Sequence, residues 1–157
     1  MKRFFFAIPF FLFHLSASHA AFGFSSLQLW PEAIYTYEEK PVTFIAKPNP
    51  SSTPRGAVLV QWDPEKEKVL YRWKMTDDGS LGDVRAGDGI YSRTVQFNER
   101  KGGVKIFSVV EGNDEVQAAF LKKEDLGPQA SLHVLHQPTF LEIMSQVWQK
   151  IKAHFSK

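Results

Sequence analysis

Cysteine is absent from the 157-residue chain. That excludes disulfide cross-links, so an apolar core or a bound metal must hold the fold. It also excludes a lipid-modified cysteine behind an export signal. A phosphate-binding glycine loop is missing, because the glycines alternate with acids that repel phosphate. Serine, histidine and aspartate occur without a Gly-x-Ser-x-Gly elbow to make a serine nucleophilic. No excess of basic charge marks a general nucleic-acid binder. Past the N-terminus no apolar run reaches the roughly 20 residues needed to cross a bilayer. No internal repeat or low-complexity segment stands out. These absences leave no catalytic constellation, and the expectation is a non-enzymatic protein.

The N-terminus reads MKRFFFAIPFFLFHLSASHA. Lys2 and Arg3 precede an apolar stretch from Phe4 to Leu15, and Ser18-His19-Ala20 places small residues at −3 and −1. This is the pattern of a cleaved secretory signal peptide over residues 1–20, and it predicts export to the periplasm or the exterior. Removing Lys2 and Arg3 leaves seventeen basic residues against seventeen acidic ones, so the processed chain is close to neutral.

The middle of the chain alternates with period two. Val42, Phe44 and Ala46 share one face, as do Val69, Tyr71, Trp73 and Met75, then Tyr91, Val95 and Phe97, then Val116, Ala118 and Phe120. Such alternation predicts half-buried strands. AVLVQW and VKIFSVV are more continuously apolar and predict central strands covered on both faces. Gly112-Asn113 suits a tight hairpin, Asp63-Pro64-Glu65-Lys66 a type I turn, and residues 47–56 a long exposed loop. The spacing predicts an all-β, immunoglobulin-like antiparallel sandwich over residues 21–123, with a linker or edge strand over 124–138.

Residues 139–156 change period. Phe140, Met144, Val147, Trp148, Ile151 and Phe155 recur at spacings of three and four. Thr139 and Glu142 have capping-box spacing, and Lys150, Lys152 and Lys157 load the C-terminal end. The prediction is an amphipathic helix whose apolar stripe covers its own sandwich, meets a partner protein, or lies on a membrane surface.

Residues 76–92 read TDDGSLGDVRAGDGIYS. Gly79, Gly82, Gly87 and Gly89 permit a tightly coiled connection. In one reading the aspartates cap the loop's own amides. In another, Asp77, Asp78, Asp83 and Asp88 supply carboxylates to calcium, in a geometry other than an EF-hand, since Gly79 and Leu81 occupy ligand positions of that motif. Acid–base catalysis by a carboxylate pair is a third reading, without a companion nucleophile nearby.

The run from Met75 to Ser92 resembles a motif of bacterial immunoglobulin-like domains of the choice-of-anchor type. The matching elements are Asp77-Asp78-Gly79, Gly82-Asp83, Ala86-Gly87-Asp88-Gly89, Ile90, Tyr91 and Ser92. A weaker likeness extends from Pro41 to Phe120 and stops short of the helix. The resemblance implies an immunoglobulin-like sandwich in an exported protein and no enzymatic activity.

Two smaller constellations remain. Trp30, Trp62 and Trp73 with Tyr35 and Tyr37 could form a stacking platform for sugars or pack in the core. His133 and His136 would face opposite ways on a strand and lack a third zinc ligand. The functional expectation is a binding or adhesion module of the cell envelope, acting on another envelope or surface protein. An accessory subunit docked at the membrane through its helix is the alternative, and a glycan-binding or glycan-active protein the third.

Overall fold

The structure, a computed structural model, describes residues 23–113 and 117–155, with the side chains of Gln117, Ala119, Ala153 and Phe155 left aside. The leader over residues 1–20 and Val116 lie outside the described residues. Among the described residues eight strands run in chain order: β1 (Phe24–Trp30), β2 (Ala33–Tyr35), β3 (Glu39–Pro48), β4 (Ala57–Asp63), β5 (Lys68–Met75), β6 (Tyr91–Asn98), β7 (Gly103–Glu111) and β8 (Gln129–Leu135). One helix, α1 (Phe140–Phe155), follows. The strands form two sheets, ordered β1-β3-β6 and β2-β8-β7-β4-β5. All pairings are antiparallel except β2 with β8. This is the immunoglobulin-like sandwich with a C-terminal helix that the alternation predicts. The chain passes from the smaller sheet to the larger between β1 and β2, where Trp30–Pro31 is cis.

Alternating residues build the core between the sheets. Val42, Phe44 and Ala46 of β3 meet Leu59 of β4 and Phe107 and Val109 of β7, all fully buried. Phe107 is the hub of the aromatic packing. Its ring lies 4.7 Å from that of Phe44 and meets Phe97 edge-on at 5.8 Å. Such tilted and edge-to-face pairs add to the stabilisation from burial itself.

Among the described residues the strand expected through Ala118 and Phe120 is not formed, and Gln117–Phe120 and Lys123–Asp125 are short 3-10 turns instead. The physical reason lies in β4 and β7, which are apolar on both faces. Val58, Val60, Trp62 and Val110 form a second cluster on the outer side of the larger sheet, and Ala118 and Leu126 close over it. A continuing strand could not roof that cluster. The ladder position beside β7 is taken by β8, which also pairs with β2. The segment expected as a linker or edge strand therefore holds an interior strand, and the sandwich runs to Leu135.

Val69 also departs from its expected face. Gln61 pairs with Tyr71, while Trp62 pairs with Val69, so Leu70 is an extra residue in β5. This bulge turns Val69 outward to pack with the outer cluster, leaving Tyr71, Trp73 and Met75 on the inner side.

Candidate functional site

The Asp-Gly connection joins β5 to β6, crossing from one sheet to the other. Thr76 and Ser92 close its base through paired backbone hydrogen bonds of 3.0 and 2.8 Å. Each aspartate then accepts amides of the loop. Asp83 Oδ2 accepts Gly79 N at 2.7 Å, and Asp77 accepts Asp88 N at 3.1 Å and Gly89 N at 3.0 Å. Asp88 Oδ1 accepts Ile90 N, and Asp78 Oδ1 accepts both the amide and the hydroxyl of Ser80. The Ser80 hydroxyl, then its amide, hold the Asp78 carboxyl below the usual aspartate range. Hydrogen bonds donated to a carboxylate favour its charged form.

Positive φ angles at Gly79, Gly82, Gly87 and Gly89, with Leu81 at +54°, give the loop its coil. The coil lies over the outer face of the smaller sheet, where Thr94 N donates to Leu81 O at 2.6 Å. A cavity of about 290 Å³ separates Asp83, Val84 and Asp88 from Thr43 and Ile45 of β3. The loop is thus a self-bonded roof. Among the described residues no group of three or more His, Asp or Glu side chains is placed to hold one metal ion. The carboxylates expected as calcium ligands are occupied by the loop's own amides, the arrangement of the first reading.

Helix α1 forms the second candidate. Glu142 Oε2 accepts Thr139 N at 2.7 Å, and Thr139 Oγ1 accepts Glu142 N at 3.4 Å, closing the predicted capping box. His136 Nε2 adds a third partner at 3.1 Å. The Thr139 amide, followed by His136, keeps the Glu142 carboxyl below the ordinary glutamate range. The helix base is fixed to the sandwich through Gln137 N, which donates to the buried Thr36 hydroxyl at 3.0 Å.

Beyond that base, α1 leaves the sandwich. Every side chain described in it is exposed, including Phe140, Leu141, Ile143, Met144, Val147, Trp148 and Ile151. Among the described residues no strand packs along it. The expectation that the stripe covers its own sandwich is not met. At about 100° per residue, Lys150 and Lys152 fall on opposite margins of the stripe. Lys152 Nζ sits 5.7 Å from the Trp148 ring centroid. Glu142, the helix's acid, lies opposite the stripe. No helix among the described residues is long and apolar enough to cross a membrane.

The expected aromatic platform does not assemble. Trp62 is buried in the outer cluster, Trp73 is half-buried facing the core, and Trp30, Tyr35 and Tyr37 stand exposed. Among the described residues none of these five rings touches another. Trp73 instead stacks on Tyr71, a ring the sequence reading left in a strand face. His133 lies on β8, and His136 is engaged with Glu142.

No protein-family model matches the chain. No curated protein matches it. Among solved structures it is similar to the CARDB domain of a Pyrococcus furiosus protein, a crystal structure in complex with di-metal ions. The two are 12% identical with a TM-score of 0.40, over 74% of this chain and 92% of that one.

Proposed function

We propose that the protein is an exported, non-enzymatic interaction module of the cell envelope whose binding element is α1. The observation that carries this reading is the uncovered apolar stripe from Phe140 to Ile151 on a helix tied to the sandwich at its base. An apolar helix face of this kind is stable in water only at a cost, and a partner groove removes it from solvent. Met144, Val147, Trp148 and Ile151 are the anchors, with Trp148 and its neighbours forming the centre of the contact. The partner is another envelope or surface protein. The sandwich serves as a rigid base, and the leader sequence supports export.

A chain ending at Gln137 tests the proposal. Its unfolding midpoint should stay within about 2 °C of the full chain, and in the full chain crosslinking from position 148 to envelope proteins in cells should be lost in Met144→Ala/Val147→Ala/Ile151→Ala. A fall of roughly 5 °C or more would mean that the stripe packs on the sandwich and would sink the reading.

The second reading is docking on an anionic membrane surface. It is favoured by one observation, the placement of Lys150 and Lys152 on both margins of the stripe, where their stems can lie along it. Flotation with anionic vesicles separates the two. Binding that is lost in Lys150→Glu/Lys152→Glu supports the membrane, and its absence supports the protein groove.

A further inference from the structure

We propose that the seam between β5 and β6 is a binding site for one neutral pyranose ring, such as the terminal unit of a glycan. These two strands are the edges of their sheets, so the sandwich is open between them. A cleft of about 230 Å³ lies there, lined by Gln61, Tyr71, Trp73, Asn98, Glu99 and Lys105. That volume is below the roughly 300–1,000 Å³ of pockets for drug-sized ligands and suits a single ring.

Gln61 is the telling residue. It follows Leu59 onto the core-facing side of β4, at the bulge, and is only 5% exposed. Its side-chain amide makes no hydrogen bond to another described residue and opens into the cleft, whereas the buried side-chain atom left without a partner is Arg93 Nε. A ligand bearing hydroxyls would satisfy both its carbonyl and its NH₂. Beside it, Tyr71 stacks on Trp73 with centroids 5.9 Å apart and planes 26° from parallel. Tyr71 is 60% exposed, so one ring face remains open to receive the C–H face of a sugar. Aromatic faces carry the negative end of the ring quadrupole and attract such polarised hydrogens.

The charges that line the cleft argue for a neutral ligand. Lys105 Nζ and Glu99 Oε2 are 3.0 Å apart, so each compensates the other. They still offer a donor and an acceptor to hydroxyl groups, as do Gln96 and Asn98 at the rim. The mouth opens between two strand edges, so a chain attached to the ring stays in solvent. This site is independent of α1.

The test is an NMR titration of the ¹⁵N-labelled processed chain with glucose, galactose, mannose and N-acetylglucosamine, each to about 50 mM, enough to fill a site of millimolar Kd. The Gln61 side-chain amide and the Trp73 indole N–H should shift saturably with at least one sugar. Tyr71→Ala should weaken that sugar about tenfold and Gln61→Leu should abolish the shifts, while Tyr71→Phe retains them. The indoles of Trp30, Trp62 and Trp148 serve as controls for fold and specificity. Still resonances with all four sugars would overturn the proposal. So would equal shifts in Tyr71→Ala, or shifts shared by all four indoles.

Discussion

Asp83 reaches back four residues to accept the amide of Gly79, and this 2.7 Å bond closes the first coil of the β5–β6 connection. Asp83 is 9% exposed, unlike its neighbour Val84 at 97%. Removing a buried acceptor leaves its donor unpaired. Asp83→Ala should therefore cost about 1–3 kcal/mol in urea unfolding, against less than about 0.5 kcal/mol for Val84→Ala. Equal effects would mean that the bond contributes nothing.

Gly82 meets a different constraint. Its φ is +103°, and an added Cβ would lie 2.1 Å from Thr94 Oγ1 and 3.0 Å from Thr94 N. Gly82→Ala therefore combines backbone strain with a clash against β6, and should destabilise by about 2–4 kcal/mol. Gly87 also has positive φ, at +73°, but open space around it. Gly87→Ala should cost only the left-handed backbone term, about 1–2 kcal/mol. Chemical denaturation of both variants ranks them.

Acid should loosen the loop through Asp78 and the helix start through Glu142. Both carboxyls are held below their ordinary values in the fold. A depressed folded-state pKa means that the charged form favours the native state. The resulting stability is complete above the unfolded pKa, about 3.9 for Asp and 4.3 for Glu, and is lost as pH falls through the depressed value. Asp78→Asn should flatten the acid limb of urea midpoints measured from about pH 6 to about pH 2. Glu142→Gln should lower helicity at neutral pH and remove its acid dependence.

Calcium gives a direct test of the loop's chemistry. With the carboxylates engaged by backbone amides, millimolar calcium and EDTA should give the same unfolding midpoint. A site held at 100 times its Kd would add about 2.7 kcal/mol. A calcium-specific rise abolished by Asp88→Ala would show that the loop reorganises around the ion.

The strands were legible because period-two alternation survives in Val42-Phe44-Ala46 and Tyr71-Trp73-Met75, where one face meets the core. The helix was legible from its 3.6-residue stripe and the Thr139–Glu142 spacing. The 3-10 turns at Gln117–Phe120 were not, since Ala118 has the same local pattern whether it lines a strand or roofs another sheet. Only the double-sided burial of β4 and β7 decides between them, and that is a tertiary fact. The bulge at Leu70 was hidden for the same reason, because register belongs to two strands at once. Within the loop, residue types alone allowed carboxylates to face an ion or the backbone, and the hydrogen bonds separate the two. The β5–β6 cleft left a fainter signal, a glutamine among the apolar residues of AVLVQW, whose lack of a partner no sequence can state.

The order of pairing has a mechanical meaning. β1 begins at Phe24, opposite Pro48, and β8 ends at Leu135, beside the start of β7. The chain therefore enters the sandwich at one pole and leaves for α1 at the other. Tension between the segment before Phe24 and the helix would run along the strands. It would load the β1–β3 and β7–β8 ladders in shear, so that many hydrogen bonds share the force instead of opening one by one.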